Sequence, residues 1–298
     1  MKKLYGVTTA MVTPFDANDQ VDVKALKEHT NFLIEKGVNC LYPNGSTGEM
    51  YLLSVEERKL VAETVVKEAA GRVTVFIHVG AMTLKDTIEL AKHACEIGAD
   101  GIGAVTPSYF SVTDREMEEY YVAISKSLPD DFPVYLYCIP QCAGNDLKPA
   151  VVQRIADKCK NVVGLKYSFA DFLRVKDYLN TNNGNFSVMV GTDRLFSAAL
   201  MMGCDGTVSG VSSVYPEPFV NVYKAYGEKN EEAVRKNQKL GNEIAEILKS
   251  GANMAYFKTG LDYRGMTGGH MRKPLLDLNK EEKGQLISQL EKYKDLVK

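Results

Sequence analysis

Lys166 has the setting in this chain that most favours covalent chemistry. It follows the short apolar run of residues 162–165, and such a run is typical of a buried strand. Burial disfavours the charged ammonium form, so a lysine here can present a neutral amine, the form that condenses with a carbonyl group. The alternative is a lysine that only extends past a strand end to reach water.

A second candidate segment carries two hydroxyl groups between two glycines. Ser46 and Thr47 lie between Gly45 and Gly48 and follow another short apolar run. Glycine allows the backbone to approach a ligand closely, and hydroxyl and N–H groups together suit a carboxylate. A plain turn is the alternative interpretation.

Further polar residues follow other apolar runs. Tyr109 follows one such run and Tyr137 lies near the end of the next. A phenol beside an amine or iminium can move protons. The pair Asp193 and Arg194 follows a later run and could bind a polyhydroxylated or acidic substrate tail. The alternative for Asp193 is a helix N-cap.

These residues require elements that bring them together, and the chain predicts eight strands, each followed by a helix. The predicted strands cover residues 5–13, 39–43, 73–79, 101–106, 134–139, 162–167, 187–191 and 206–210. Their nearly continuous apolar character favours buried parallel strands. Eight such units indicate an α/β fold, a (β/α)8 TIM barrel, in which chemistry belongs to the carboxyl ends of the strands. A doubly wound open sheet is the alternative, but no dinucleotide or P-loop glycine motif supports it.

Helical periodicity follows every strand and continues beyond the last one. Ser54 with Glu57 forms a capping box at the start of the second helix. Residues 231–249 and 280–297 are long, charged and amphipathic. We therefore expect residues 1–228 to form the barrel with the active site, and residues 229–298 to form a C-terminal helical region packed on it.

Composition excludes several classes of protein. The 298 residues carry a formal net charge of -2, with 45% hydrophobic and 25% charged residues, so no nucleic-acid or membrane surface is indicated. No apolar stretch reaches the roughly 20 residues of a membrane span, and a cytoplasmic protein is expected. The six cysteines form no C-x-x-C pair and the four histidines lie far apart, which predicts neither disulfides nor a metal site.

The motifs in order resemble those of the dihydrodipicolinate synthase / N-acetylneuraminate lyase family of pyruvate-dependent class I aldolases. The similarity includes the opening residues 9–15, the segment 45–49, Thr106-Pro107, Tyr137-x-Ile139-Pro140, Gly164-Leu165-Lys166, residues 203–206 and residues 272–274. It covers nearly the whole chain.

The resemblance implies a role for each matched position. Lys166 matches the Schiff-base lysine, Tyr137 the proton-relaying tyrosine, and Ser46 a hydroxyl of the same relay. Tyr109 resembles a tyrosine that, in synthase members, reaches into the neighbouring subunit's site. Members of the family are commonly tetramers built from tight dimers, so the resemblance implies a homotetramer or homodimer. The substrate-binding positions implied are Thr47, Gly48, Ser168, Gly191, Asp193, Arg194, Val208 and Gly210. No metal and no cofactor beyond the covalent bond on Lys166 is expected.

Departures from the family pattern bear on the substrate. Synthase members carry an arginine where this chain has Cys142, and a thiol cannot hold a carboxylate as arginine does. Sialic acid lyases share the segment 45–49 and His78, and Asp193 matches their sugar-binding aspartate. However, Arg194 replaces a glutamate of theirs and Gly210 replaces a serine.

The resulting functional expectation is a lyase that reversibly cleaves a 2-keto acid into pyruvate and an aldehyde. N-acetylneuraminate or a 2-keto-3-deoxy sugar acid would be the substrate, and an acidic tail could face Arg194. The alternatives are 4-hydroxy-tetrahydrodipicolinate synthase, which condenses pyruvate with aspartate semialdehyde, a dehydratase, and a non-catalytic keto-acid-binding relative.

Overall fold

Eight parallel strands close into a barrel in a computed structural model that describes residues 1–296. The strands pair in chain order, and β8 closes the barrel against β1. The strands are β1 (Gly6–Ala10), β2 (Cys40–Tyr42), β3 (Thr74–His78), β4 (Gly101–Val105), β5 (Val134–Cys138), β6 (Val162–Tyr167), β7 (Ser187–Val190) and β8 (Gly206–Ser209). The predicted TIM barrel is confirmed, although seven of the strands are shorter than the apolar runs suggested.

Helices cover the outside of the barrel and continue into the C-terminal region. They are α1 (Val23–Glu35), α2 (Val55–Ala69), α3 (Leu84–Glu96), α4 (Asp114–Lys126), α5 (Pro140–Ala143), α6 (Pro149–Lys158), α7 (Phe172–Leu179), α8 (Phe196–Met202), α9 (Glu217–Gly227), α10 (Glu231–Ile247), α11 (Met254–Tyr263) and α12 (Lys280–Leu290). The capping box of Ser54 and Glu57 is confirmed at the start of α2. Helices α5 and α11 are not among the helices predicted from the sequence, and Val297 of the last predicted helix lies outside the described residues.

The hydrophobic core has two layers, as the alternation of side chains along a strand requires. Inside the barrel, Tyr42, Phe76, Tyr135, Met189 and Val208 fill the space, all at most 2% exposed. A larger layer lies between the strands and the surrounding helices. Each fully buried large apolar side chain contributes about 1.5–3 kcal/mol to folding, so the scaffold that holds the strand ends is rigid.

One irregularity interrupts the pairing of β5 with β6. Val134 pairs with Val162, but the next pair is Tyr135 with Gly164, so Val163 is an extra residue on β6. Beyond this β-bulge the register continues regularly, and Tyr137 pairs with Lys166.

The C-terminal helices share the main core with the barrel. Ile244 and Leu248, Phe257, and Leu286 belong to the same buried cluster as the barrel residues. The core is continuous from the barrel into the C-terminal helices, so it marks no boundary between them. The division into a barrel and a C-terminal region at residue 228 therefore stays a prediction. Within residues 1–296, no helix is both long and apolar enough to cross a membrane.

Candidate active site

A cavity of about 550 Å³ opens at the carboxyl ends of the strands. Its size is within the usual range for small-molecule sites. The polar and charged side chains that line it are Ser46, Thr47, Tyr137, Gln141, Cys142, Lys166, Ser168, Thr192, Asp193, Arg194, Lys249 and Ser250. Val208 and the glycines at 191 and 210 complete the part that the sequence predicted.

Lys166 and Tyr137 meet inside the barrel mouth. Lys166 is only 5% exposed. Its Nζ lies 3.9 Å from the centre of the Tyr137 ring and 5.3 Å from the centre of the Tyr42 ring. The β5–β6 register sets this contact, because paired residues of neighbouring strands point to the same face. The amine therefore sits among aromatic rings rather than in bulk solvent.

The loop with the two hydroxyls is held firmly. Ser46 Oγ lies 3.5 Å from the Tyr137 hydroxyl oxygen, which is the outer limit of a hydrogen bond. Thr13 Oγ1 donates to the Gly48 carbonyl at 3.0 Å. Gly48 shapes the loop but does not line the cavity, whereas Ser46 and Thr47 do.

Two buried residues, His78 and Arg58, hold the start of this loop in place. The His78 Nε2 accepts from the Val105 N–H at 3.1 Å, so Nδ1 donates to the Asn44 carbonyl at 2.9 Å. Burial, with the nearby charge of Arg58, holds the pKa of His78 well below its usual range. Arg58 donates to the carbonyls of Gly80 and His78, both at 2.8 Å, and burial lowers its pKa to about 10.

Asp193 is a buried carboxyl group on the other side of the cavity. The residue is 9% exposed, and its Oδ2 lies 3.5 Å from the Val211 N. Burial raises its pKa to about 6, against the hydrogen bond from Ser209 and the charge of Lys166. Asp193 is not a helix N-cap, because it is already the first residue of the 3-10 turn Asp193–Leu195, which Thr192 precedes as N-cap and which leads into α8.

Three further predicted residues line the cavity with Asp193, namely Ser168, Gly191 and Arg194. Gly191 is required by close packing, since a Cβ there would lie 1.8 Å from Ser168 Oγ. Arg194 is half exposed at the rim, with its Nη1 3.8 Å from Glu246 Oε1. The Gln141 side-chain amide, which the sequence analysis did not select, donates to the Ser168 carbonyl at 2.8 Å.

Tyr109 is the one predicted catalytic residue that a single chain does not bring to the cavity. It is 82% exposed, its φ is 74°, and its ring packs edge-on against Phe110, 72% exposed, at 4.9 Å. Two adjacent aromatic rings in water are an unusual surface feature.

Two residues next to the reacting pair, Cys138 and Tyr167, lie away from the site. Cys138 and Tyr167 each follow an inward-pointing residue, so they face the helices. Tyr167 packs against Tyr178 with ring centres 5.1 Å apart, and Cys138 Sγ lies 3.5 Å from Asp146 Oδ1. Their identity therefore says nothing about the substrate.

Comparison with known proteins agrees with this architecture. A sequence model described as the dihydrodipicolinate synthetase family matches residues 3–293. The chain belongs to this family, and it is therefore a lyase of the pyruvate aldolase type.

Individual relatives span two activities. The chain is 35% identical over 231 residues to the Escherichia coli protein named probable 2-dehydro-3-deoxy-D-pentonate aldolase YjhH, covering 76% of each chain. It is 30% identical to the 4-hydroxy-tetrahydrodipicolinate synthase of Methanococcus aeolicus, covering 97% of this chain and 99% of that one. The crystal structure of Escherichia coli YagE in complex with pyruvate superposes with a TM-score of 0.92, at 29% identity over 98% of this chain and 99% of that one.

Proposed function

We propose that the protein reversibly cleaves a 2-keto-3-deoxy acid into pyruvate and an aldehyde through a Schiff base on Lys166. The observation that carries this proposal is the buried Lys166 amine, 3.9 Å from the Tyr137 ring centre in a cavity that also holds Ser46 and Thr47. The relative named as a pentonate aldolase supports the same class of substrate.

The first step is condensation of Lys166 with the substrate. The neutral amine attacks the C2 carbonyl carbon to form a carbinolamine. The Tyr137 phenol then protonates the leaving hydroxyl group, so that water departs, an iminium remains and Tyr137 is left as a phenolate. Solvent can supply this proton more slowly when the phenol is absent. Ser46 and Thr47 hold the C1 carboxylate by hydroxyl and backbone N–H groups. Val208 lines the cavity on β8, where it confines the carbon next to the reacting centre.

The second step breaks the C3–C4 bond. The Tyr137 oxygen, as a phenolate, takes the proton of the C4 hydroxyl, the C4–O becomes a carbonyl, and the bonding electron pair moves to the iminium to form an enamine. The aldehyde leaves. Tyr137 then returns a proton to C3, aided by Ser46 at 3.5 Å, and water hydrolyses the resulting iminium to pyruvate and free Lys166. This sequence needs no metal or separate cofactor.

The rest of the substrate extends toward β7 and β8. Ser168 and Asp193 can bind its hydroxyl groups, and Gly191 and Gly210 line the same part of the cavity. Arg194 stands at the open end. This arrangement favours a polyhydroxylated 2-keto acid, with N-acetylneuraminate as one possible member of the class.

The second candidate function is 4-hydroxy-tetrahydrodipicolinate synthase, favoured by the Methanococcus aeolicus relative. Against it, the exposed Cys142 lines the cavity where those enzymes are expected to carry an arginine for the semialdehyde's carboxylate. An assay with pyruvate and aspartate semialdehyde separates the two. A dehydratase would release water and no aldehyde from the same substrate, and a binding-only relative would release neither.

The test of the proposal is reductive trapping. Sodium borohydride with pyruvate should reduce the iminium and add a stable mass to the peptide that contains Lys166. Lys258 provides the internal control, because it is also buried, at 1% exposed, but lines no part of the cavity. An unmodified Lys166 at saturating pyruvate contradicts the proposal.

We also propose that the enzyme acts as a cytoplasmic homotetramer or homodimer in which Tyr109 contacts the neighbouring subunit. The exposed ring pair of Tyr109 and Phe110 supports this, since an interface would cover it. Sedimentation of the protein and of a Tyr109→Ser, Phe110→Ser variant tests it, and an unchanged sedimentation coefficient contradicts it.

A further inference from the structure

The open end of the cavity carries an excess of positive charge. Within residues 1–296, the ionisable lining groups other than the Tyr137 phenol and the Cys142 thiol are Lys166, Arg194, Lys249 and the single carboxyl Asp193. Lys166 is the reacting amine and Asp193 lies buried beside it, while Arg194 and Lys249 are exposed at the rim. Two cations therefore remain that the cleavage step does not use.

Lys249 reaches this rim through a turn between α10 and α11. It and Ser250 both have left-handed backbone conformations, with φ of 56° and 48°. Successive residues of this kind cost about 1–2 kcal/mol each unless they are glycine, so the surrounding structure must hold the turn. Ser250 Oγ donates to the Ala245 carbonyl at 3.3 Å, and the Lys249 Nζ lies 5.7 Å from the centre of the Tyr256 ring.

Arg194 is only loosely engaged. Its single ion-pair contact in the described part of the chain is the 3.8 Å approach of Nη1 to Glu246, and the two side chains are 54% and 68% exposed. Exposed pairs of this kind contribute at most about 1 kcal/mol. The guanidinium can therefore turn to a ligand at little cost, and its fork suits a carboxylate or phosphate.

The proposed mechanism fixes the direction of the substrate in the cavity. Its C1 carboxylate lies at Ser46 and Thr47, and C2 is bonded to Lys166. The remaining carbons must then run past Asp193 to the rim, where Arg194 and Lys249 stand.

We propose that the substrate carries a second anionic group at its far end, bound by Arg194 and Lys249. A 2-keto-3-deoxy aldaric acid, with a carboxylate at each end, fits this description, and a terminal phosphate shares the same chemistry. The aldehyde released would then be an acid as well. This inference rests on the proposed aldol cleavage and narrows its substrate class.

The experiment compares three six-carbon 2-keto-3-deoxy acids that end in a carboxylate, a phosphate or an uncharged hydroxymethyl group. Two readouts are taken for each: kcat/KM for pyruvate release, and the concentration that gives half-maximal borohydride trapping on Lys166. The second readout does not require turnover. We expect one or both anionic compounds to be preferred over the neutral one by about tenfold or more, since hydrogen bonds to charged groups contribute about 1.5–3 kcal/mol.

Two variants locate the preference, and a third is the matched control. Arg194→Gln and Lys249→Gln should each reduce the preference for the anionic compounds over the neutral compound about five- to tenfold, mostly through KM. Lys239→Gln removes an exposed lysine of α10 that does not line the cavity, and it should change nothing. The three compounds can differ in the fraction that is present in the open-chain keto form. Comparing the anionic-to-neutral ratio of kcat/KM between variants cancels this difference.

The outcomes separate this inference from the proposed function. Equal use of the three compounds, or a preference that survives in the Arg194→Gln, Lys249→Gln double variant, overturns the anionic subsite while trapping on Lys166 still supports the aldolase. Absence of trapping with pyruvate and with all three compounds overturns both. A preference for the phosphate over the carboxylate identifies the anion as a phosphate.

Discussion

Glu49 and Lys258 form an ion pair that joins the hydroxyl-bearing loop to the C-terminal helix α11. The Lys258 Nζ lies 2.6 Å from Glu49 Oε1, and both side chains are 2% exposed. The same Nζ donates to the His270 carbonyl at 2.7 Å and lies 4.3 Å from the centre of the Phe15 ring. Burial acts against both charges, raising the pKa of Glu49 and lowering that of Lys258.

Breaking this pair should destabilise the fold and disturb the loop. Lys258→Met leaves an uncompensated buried carboxylate, which costs about 3–5 kcal/mol. The double variant Glu49→Gln, Lys258→Met has no buried charge at this place and should be more stable than Lys258→Met alone. Urea unfolding measures both, and the KM of the folded double variant for the keto acid should rise because Ser46 and Thr47 lose their brace.

The exposed pair of Lys59 and Glu89 is the control for this prediction. Its atoms are 2.5 Å apart, but the side chains are 28% and 43% exposed, so Lys59→Met should change stability far less. If Lys258→Met and Lys59→Met lowered the free energy of unfolding equally, burial of the ion pair would not contribute to its effect on stability.

Replacing Tyr137 by phenylalanine should separate proton transfer from amine chemistry. The variant keeps the ring against Lys166 and removes only the hydroxyl, so trapping with pyruvate should persist. Turnover should fall about 10²–10⁴-fold, the usual contribution of a general acid–base group. Steady-state rates and the yield of the reduced adduct are measured on the same samples. A loss of trapping as large as the loss of turnover would argue against the assigned proton transfer.

Asp193 should make the protein less stable as the pH rises. Its folded-state pKa of about 6 lies above the 3.8 usual for an aspartate in an unfolded chain, so the native state binds the proton more tightly. The resulting stabilisation is complete below pH 3.8 and is lost as pH rises through about 6, a difference of about 3 kcal/mol. Asp193→Asn should therefore raise the Tm relative to the parent protein more at pH 8 than at pH 4.

The pH series must isolate Asp193 from other buried groups. His29 has its pKa lowered to about 4 by burial, so its contribution is present above pH 6.5 and is lost as the pH falls toward 4, opposite in sign. Because His29 is present in both proteins, it cancels in the difference of Tm. A difference that stays constant from pH 4 to pH 8 would contradict the prediction. The variant should also bind hydroxylated substrates less tightly while pyruvate is still trapped.

Cys142 should report occupancy of the cavity. It is the exposed cysteine at the lining, whereas burial raises the pKa of Cys138 and Cys204 to about 12 and that of Cys40 to about 11. N-ethylmaleimide should therefore label Cys142 first, since the thiolate is the reactive form. A 2-keto-3-deoxy acid should slow this labelling more than pyruvate, because it fills the outer part of the cavity. Peptide mapping measures the rate, with Cys142→Ser as the control, and equal protection by both ligands would place the tail elsewhere.

The barrel and the reacting residues could be predicted because each depends on local sequence. Apolar runs mark the strands, and residues directly after them must lie at the same barrel mouth. Lys166, Tyr137 and Ser46 were found in this way, and the structure brings them together.

The support and the rim of the site could not be predicted in the same way. Arg58 looks like an ordinary helix surface residue, and only tertiary packing shows that it is 3% exposed behind His78. Lys249 occupies a left-handed turn that residue propensities disfavour. The sequence does not decide whether Asp193 is a helix cap or a ligand group, since that choice depends on the residue at which the helical turn begins.

The extra residue Val163 decides which side chain of β5 accompanies Lys166. If the pairing of Val134 with Val162 continued without the bulge, Cys138 rather than Tyr137 would stand beside Lys166. Gly164 accommodates the irregularity, because a Cβ there would lie 2.5 Å from the Tyr135 ring. The pairing of Lys166 with Tyr137 at the barrel mouth thus depends on Val163, three residues earlier on β6. Deletion of one residue at Val163 would misalign the amine and the phenol, although neither Lys166 nor Tyr137 would be changed.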